Sequence, residues 1–315
     1  SINRYMFLHY KLIIFITLLL FYLLIIKQKK TKSIDNSELF NEFGDLEENV
    51  NQTIIIENKY ESFEKMKLNY NNDPIYKPFL EQIKIIAHVY NNNYQKRKVH
   101  KNMIHICVAL NNEYIYPLLV SIESVLMNCN KKKSFYIYHI LCYPDFTEKN
   151  LAILKSLVNK YPFNVEMIFY NMGNSFMNRE TGRYSQATYY KILSPIFIDL
   201  DRIIYLDGDT LTFKDINEMY QLDFNDNYVL GAYDFYSNGL DYLGIKSNIF
   251  INGGVLLFNL EKIRKNKMHE MLNIINNSSI RLEGNDQTLI NYVFYPDIGR
   301  IPSKYITFNF HDESD

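Results

Sequence analysis

The sequence lacks tryptophan, is poor in cysteine and carries no excess of charge of either sign. Lys and Arg number 34 against 35 Asp and Glu, which leaves a formal net charge of −1. Without a global basic field the chain is not suited to nucleic acid, so any partner must be recognised by a local site. The three cysteines, Cys107, Cys129 and Cys142, are too few for a disulfide-stapled scaffold and show no paired metal-ligand spacing. Buried, inert thiols are expected instead.

Apolar residues, by contrast, are abundant. They make up 47% of the 315 residues, and 27 Tyr and 21 Phe bring the aromatic share to 15%. That proportion excludes disorder as the dominant state, and the length accommodates one large domain or two ordinary ones.

A hydrophobic segment near the N-terminus predicts a membrane anchor. Between Leu12 and Ile26 the only polar side chains are two hydroxyls. A helix over this run would be about 22 Å long, so the predicted single span extends over residues 5–26 to match a hydrocarbon core of about 30 Å. Lys11 lies near enough to the end to snorkel. A cleaved signal peptide is the alternative, although no small-x-small cleavage site follows.

The orientation of this predicted single-pass anchor stays open. Four lysines between Lys27 and Lys32 follow the span, against Arg4 and Lys11 before it, and the positive-inside rule then places the bulk of the chain in the cytoplasm. Acceptor sequons at Asn51 and Asn276 instead suit a Golgi or secretory-pathway lumen, the localisation predicted for a eukaryotic type II protein.

Residues 27–100 are polar and uneven, and they predict a stem or linker between the anchor and a following domain. Apolar side chains are too scattered here to define a face, although a small helical domain is the alternative.

After residue 101 strand and helix signals alternate, which predicts an α/β domain over 101–315. Met103 to Leu110 and Phe135 to Cys142 read as strands, and Asp145 with Glu148 reads as a capping box before a helix. Strands separated by helices imply a mainly parallel sheet with helices on both faces. Ligands of such sheets bind beyond the carboxyl ends of the strands.

One strand end carries two carboxylates. Asp207 and Asp209 flank Gly208 directly after the apolar run from Arg202 to Leu206. If the backbone stays extended, both carboxylates point the same way and can face one cation, and Gly208 allows close approach of a ligand. Hard carboxylate oxygens suit Mg²⁺ or Mn²⁺, so this placement predicts a metal and diphosphate site.

Four sequence motifs follow one another along the second half of the chain, at Ala187 to Ile192, Tyr205 to Thr210, Phe250 to Asn259 and Asn285 to Asn291. In their order and spacing they resemble glycosyltransferase family 8, the retaining family with the nucleotide-sugar-binding GT-A fold. The resemblance covers roughly residues 101 to 310.

The resemblance implies retaining transfer of a hexosyl or related unit from a UDP-sugar to a glycan, glycoprotein or glycolipid. Asp207 and Asp209 would hold Mn²⁺, with Mg²⁺ as the alternative, on the donor diphosphate. Asp286 and Gln287 would grip the sugar and take part in catalysis, with Gln287 beneath the anomeric carbon. The other donor-binding positions that it implies are Asn111, Asn112, Tyr114, Lys191, Gly208, Asn252 and Gly253. Asp234 follows a further predicted strand and is a candidate for contact with either sugar, the alternative being a solvated turn residue.

The chain departs from the family pattern in three ways. Asn111 stands where many members carry Asp, and Lys191 stands where several carry Arg, which loses the bidentate fork. The third metal ligand of the family is a His in a His-x-x-Gly-x-x-Lys motif, which His311 does not begin. We therefore expect the catalytic domain to continue past Asp315.

Two other classes of function remain open. A haloacid-dehalogenase-type phosphatase also places Asp-x-Asp after a strand, but it sets that motif at its first strand and requires Thr or Val where Leu211 stands. A catalytically silent, membrane-tethered protein that binds sugar nucleotides or glycans is the stronger alternative because the third ligand is missing.

Overall fold

The computed structural model describes residues 57–90 and 102–306, apart from residues 163, 180, 183, 235–239, 248 and 277–279. The predicted anchor over 5–26 lies outside the described residues. Within the described ranges, no helix has the length and apolar character needed to cross a membrane.

The described residues form a three-layer α/β structure with eight strands. The strands are β1 (Lys84–Val89), β2 (Asn102–Leu110), β3 (Ser134–Cys142), β4 (Val165–Asn171), β5 (Arg202–Leu206), β6 (Val229–Tyr233), β7 (Ile251–Asn259) and β8 (Ile298–Arg300). The helices are α1 (Glu57–Tyr70), α2 (Lys77–Leu80), α3 (Ile115–Asn128), α4 (Glu148–Lys160), α5 (Tyr190–Phe197), α6 (Asn217–Tyr220), α7 (Leu260–Asn266), α8 (Met268–Asn276) and α9 (Asn285–Phe294).

All eight strands join one sheet in the order β1-β4-β3-β2-β5-β7-β6-β8. The run β4-β3-β2-β5 is parallel, as the alternation of strands and helices predicts, and β8 is parallel to β6. Strand β7, however, runs antiparallel to both β5 and β6, and β1 runs antiparallel to β4. The sheet is therefore mixed rather than purely parallel, because β7 enters from the opposite direction beside the Asp-x-Asp strand.

Helices cover both faces of the sheet, as predicted. Helices α3, α4 and α6 pack over one face, where Leu118, Leu154 and Met219 are buried. The other face is covered by α1, α2, α5, α7, α8 and α9. All three cysteines are buried and none forms a disulfide, which agrees with the expected buried thiols.

The predicted capping box before α4 is wrong in one detail. Thr147, not Asp145, caps this helix, because the Thr147 side chain accepts a hydrogen bond from the Asn150 amide. The predicted apolar face of the helix is confirmed, since Leu151, Leu154 and Val158 are buried.

A stem or linker was predicted over residues 27–100, but its described part, residues 57–90, packs against the rest of the fold. Strand β1 pairs with the edge of β4, and Phe63 of α1 packs against Tyr170 with a ring-centroid distance of 6.0 Å. Leu80 of α2 is fully buried. The sequence does not reveal that this segment packs into the fold, because its apolar residues are scattered and each contacts a distant part of the chain. These 34 residues, 57 through 90, belong to the α/β fold.

Candidate active site

The Asp-x-Asp segment begins where β5 ends. The Asp207 amide still donates to the Gly254 carbonyl of β7 at 2.7 Å, so the ladder continues to this residue. The chain then turns, because the Thr210 amide donates back to the Asp207 carbonyl at 3.2 Å. Asp207 and Asp209 are thus the first and third residues of a β-turn. The extended backbone considered from the sequence does not form.

Lys191 of α5 lies beneath this turn and is almost inaccessible, with 1% of its side chain exposed. Its ammonium donates to the Gly253 carbonyl at 2.8 Å and to the Asp286 carboxylate at 2.7 Å. It also lies 3.8 Å from Asp207 Oδ1 and 3.8 Å from the centre of the Tyr205 ring. A buried ammonium needs such partners, and Lys191 thereby joins two of the predicted site carboxylates.

The Asp207 carboxylate sits in an unfavourable environment for its charge. Loss of hydration raises its pKa to about 6, with Lys191 opposing the rise and Asp209 and Asp286 adding to it. The hydroxyl of Tyr205 donates to Asp207 Oδ1 at 2.8 Å, yet 45% of the Asp207 side chain stays accessible. Desolvation also raises the pKa of Asp209. Negative charge at this turn is therefore incompletely compensated by the protein itself.

A second group of predicted residues meets beside this turn. Gln287 of α9 accepts a hydrogen bond from the Gly253 amide at 2.9 Å and donates to Asp234 Oδ2 at 3.0 Å. Asn252 donates to the same oxygen at 3.3 Å. Asp234 follows β6, Asn252 and Gly253 lie in β7, and Gln287 lies in the first turn of α9. The solvated-turn interpretation of Asp234 is thus not what the structure shows.

The close approach of the Asp207 side chain to β7 explains why position 254 is a glycine. A Cβ atom on Gly254 would lie 2.7 Å from Asp207 Oδ2 and 3.1 Å from Asn252 Oδ1. The absence of a side chain at Gly254 lets Asp207 pack directly against β7, which brings the carboxylate group and the Gln287 group to the same edge of the sheet.

The predicted base-binding segment follows β2 at this edge. Tyr114 lies beside the turn with 36% of its surface exposed, and its ring atom Cδ1 lies 3.8 Å from the position of a Cβ atom on Gly208. Burial and the charges of Asp209 and Asp207 raise the pKa of its hydroxyl. The structure therefore places Tyr114 beside the Asp207–Thr210 turn, near enough for both carboxylate charges to act on its hydroxyl.

The two asparagines of this segment make local contacts. The Asn111 side chain accepts from the Glu113 amide at 3.1 Å and caps a short 3₁₀ turn. The Asn112 side chain donates to the Asp145 carbonyl and accepts from Asn150, both at 2.9 Å. These contacts fasten the segment to α4, and a direct contact of either asparagine with a base stays a prediction.

Sequence reasoning missed three residues that organise the site. Tyr205 supports both Lys191 and Asp207, Thr188 donates to Asp286 Oδ1, and Asn291 bonds the backbone of Ile251 in both directions and the Gln287 carbonyl. Each of the three lies inside one of the four family motifs. Tyr205 could have been found from its position two residues before Asp207, on the same face of β5.

A metal ion is compatible with this chemistry, although the described residues supply only part of a ligand set. In that part of the chain, no group of three or more His, Cys, Asp or Glu side chains is arranged to hold a metal. The pair of hard carboxylates at Asp207 and Asp209 suits Mn²⁺ or Mg²⁺. Desolvation raises the pKa of both carboxylates, so a nearby cation would favour their ionised forms.

The carboxylate turn at the end of β5 is thus faced by the Gln287 amide and by further carboxylates at one edge of a mixed sheet. Comparison with protein-family models identifies the class of protein. Residues 105–314 match Glycosyl transferase family 8 by its sequence model, and the chain belongs to this family. It is a glycosyltransferase enzyme. Comparison with curated protein sequences finds no match.

Solved structures of other glycosyltransferases share the fold. The galactosyltransferase LgtC, solved with donor and acceptor sugar analogs, is 22% identical with a TM-score of 0.54 over 64% of this chain and 74% of that one. The bifunctional glycosyltransferase WbbM is 18% identical, with a TM-score of 0.55 over 65% of this chain and 40% of that one. GlyE of Streptococcus pneumoniae TIGR4 is 17% identical, with a TM-score of 0.50 over 65% of this chain and 46% of that one.

Proposed function

We propose that this chain is a retaining hexosyltransferase that uses a UDP-sugar donor and Mn²⁺. The observation that carries the proposal is the meeting of Asp207, Lys191, Asp286 and Gln287 at one edge of the sheet, linked by hydrogen bonds and ion pairs. These groups come from three elements, α5, the end of β5 and α9, so their convergence is a property of the fold rather than of one motif.

The metal would be held by Asp207 and Asp209, with Mg²⁺ as the alternative ion. When bound, it would offset negative charge that accumulates on the departing nucleoside diphosphate. The Lys191 ammonium partly compensates the negative charge of this site, since it lies 3.8 Å from the Asp207 carboxylate and 2.7 Å from the Asp286 carboxylate. Its fixed position requires no reorganisation during the reaction.

The donor would lie across the turn between Tyr114 and β7. Tyr114 offers an aromatic face for the base, and Gly208 would lie close to the ribose because a glycine lets the main chain approach a ligand. Asn252, Gly253, Asp234 and Asp286 would contact the sugar. Preorganisation of these side chains by their mutual hydrogen bonds lowers the entropic cost of holding the donor in a reactive geometry.

Gln287 would lie beneath the anomeric carbon. A neutral amide is a poor nucleophile, so we favour front-side attack by the acceptor hydroxyl, with the leaving diphosphate as base. In this mechanism the Gln287 amide steadies the developing positive charge at the anomeric centre. Its two hydrogen bonds, to the Gly253 amide and to Asp234, fix the orientation of that amide.

Replacement of Gln287 tests this assignment. Gln287→Ala is expected to reduce kcat roughly 100-fold, the scale of losing one preorganised transition-state contact, while the Kd for UDP changes little. Gln221→Ala, at an exposed position after α6, is the matched control. Equal loss of turnover and of UDP binding would contradict the assignment.

The proposed acceptor is a glycan, glycoprotein or glycolipid, and the N-terminal segment 5–26 would tether the enzyme to a membrane. A Golgi or secretory-pathway lumen is the compartment that best suits such a tethered transferase. Partial protease digestion of sealed microsomes that contain the full chain measures the side of the membrane on which the enzyme lies.

A further inference from the structure

Helix α3 carries a polar stripe that faces the segment after the Asp-x-Asp turn. Ser121, Ser124 and Asn128 are spaced three and four residues apart and therefore lie on one face of the helix. Ser121 and Ser124 are buried. All three side chains bond to Thr210 or Thr212, which lie just beyond Asp209.

The direction of the first contact follows from the count of protons. Thr210 Oγ1 donates its single proton to the Asp207 carbonyl at 2.9 Å, because a carbonyl oxygen only accepts. Ser121 Oγ lies 3.1 Å from Thr210 Oγ1 and must therefore be the donor in that contact. The result is a directed relay from Ser121 through Thr210 to the backbone of Asp207.

The second and third contacts satisfy the whole backbone of Thr212. Ser124 Oγ donates to the Ser121 carbonyl at 2.7 Å, so it accepts from the Thr212 amide at 2.9 Å. Asn128 Nδ2 donates to the Thr212 carbonyl at 2.9 Å and to the Ser124 carbonyl at 2.9 Å. Helix α3 thus supplies the backbone of Thr212 with the hydrogen-bond partners that a neighbouring strand would supply within the sheet.

The same helix also borders the predicted donor site at its N-terminal end. Leu118 Cβ lies 3.6 Å from the Cβ position of Gly208, and Tyr114 directly precedes the helix. One rigid element therefore contacts the base-binding tyrosine, the central glycine of the turn and the residues after the turn.

We propose that Ser121 and Thr210 are positioning residues that hold the Asp207–Thr210 turn in its metal-binding geometry, and that α3 sets the distance between this turn and Tyr114. This inference rests on the proposed function, because it gives the turn a bound cation. In this proposal neither hydroxyl is a metal ligand. Both act through the backbone carbonyl of Asp207, which closes the turn that carries Asp209.

Isothermal titration of the full chain with MnCl₂ tests the proposal. Thr210→Val keeps the shape of the side chain but removes the relay, and it is expected to raise the Kd for Mn²⁺ about tenfold, since it loses one to two hydrogen bonds. Thr210→Ser keeps the hydroxyl and is expected to stay within about twofold of the wild type. Ser121→Ala should weaken binding by less than Thr210→Val does.

The double variant Ser121→Ala/Thr210→Val gives a sharper test. Because Ser121 acts only through Thr210, the double variant should bind Mn²⁺ no more weakly than Thr210→Val alone. The matched control is Ser156→Ala, which removes a helical serine that donates to the Ile153 carbonyl in α4 at 2.7 Å. It should leave the Kd for Mn²⁺ within about twofold.

Unchanged Mn²⁺ affinity of Thr210→Val, or equal loss in Thr210→Ser, would overturn the positioning role and leave the proposed function intact. Failure of the wild-type chain to bind Mn²⁺ would instead overturn the metal site, and the positioning role with it. Thermal unfolding of each variant separates these results from loss of the fold, because a merely structural role would lower the Tm without a selective change in the Kd.

Discussion

Lys191 illustrates how one buried charge organises this site at the scale of a residue. Its ammonium faces both Asp207 and Asp286, so it compensates two carboxylates with a single positive charge. This leaves a deficit of positive charge at Asp207, whose pKa rises to about 6 through lost hydration and the nearby charges of Asp209 and Asp286. We interpret this deficit as the stability cost of a functional site.

The deficit at Asp207 predicts a pH-dependent stability difference in the metal-free protein. The folded chain raises the pKa of Asp207 from 3.8 to about 6. The free energy of unfolding therefore falls as the pH rises from about 4 to about 6, and it stays at the lower level above that pH. Asp207→Asn should therefore raise the Tm at pH 7.5, by no more than about 4 °C because the side chain is partly solvated. The gain should vanish toward pH 4.

Differential scanning fluorimetry with a chelator measures this difference. Asp201→Asn, at an exposed carboxylate before β5, is the control and should leave the Tm unchanged at both pH values. A lower Tm of Asp207→Asn at pH 7.5 would show that the ionised carboxylate stabilises the fold, which contradicts an uncompensated charge at this turn.

The candidate site residues are predicted from sequence motifs, whereas their environment cannot be predicted that way. Asp207, Asp286 and Gln287 stand in ordered motifs, and the structure brings them to one edge of the sheet. The burial of Lys191 and the support from Tyr205 depend on contacts between α5, β5 and α9, which no local pattern encodes. The turn at Gly208 was likewise missed because an apolar strand pattern does not show where the strand stops.

At the scale of elements, the N-terminal part of the described fold is the main difference from expectation. Helices α1 and α2 and strand β1 add a layer over one face and an antiparallel edge to the sheet. The segment was predicted to be a stem because its apolar residues define no continuous face. They contact β4 and α5 individually, so their pattern follows the surface that they cover rather than a helical period.

Two leucines of this segment test whether it belongs to the fold. Leu80 is 0% exposed, whereas Leu68 of α1 is 71% exposed. Leu80→Ala should lower the free energy of unfolding by about 2–5 kcal/mol, the usual cost of a buried Leu-to-Ala change. Leu68→Ala is the matched control and should change it by less than about 0.5 kcal/mol.

Urea denaturation of the full chain, followed by circular dichroism, measures both values. Equal, small effects of the two substitutions would mean that residues 57–90 do not contribute to the stability of the α/β fold and act as the linker predicted from sequence.

The strand pattern was predicted better than the strand directions. Sequence patterns identified β2, β3 and β5 and the helix α4, and strands that alternate with helices are expected to pair in parallel. These patterns did not reveal that β7 runs antiparallel between β5 and β6. That reversal carries Asn252, Gly253 and Gly254 past the Asp207 turn, and it depends on pairing between strands distant in sequence.

At the scale of the whole molecule, the chain is a family 8 glycosyltransferase whose candidate site joins the parallel and antiparallel parts of one sheet. The parallel part supplies Tyr114 and Asp207, and the antiparallel part supplies Asp234, Asn252 and Gly253. Helices α5 and α9 contribute Lys191 and Gln287. A retaining transferase differs from a silent sugar-nucleotide-binding protein in one respect, which is turnover of the donor.

Release of UDP from a panel of UDP-sugars, with and without Mn²⁺, measures that turnover. We expect the full chain to release UDP from at least one UDP-hexose or related donor only when Mn²⁺ is present, and we expect Gln287→Ala to abolish most of this release. Mn²⁺-dependent binding of UDP without release from any donor would contradict the proposed transferase activity and favour the silent binding protein.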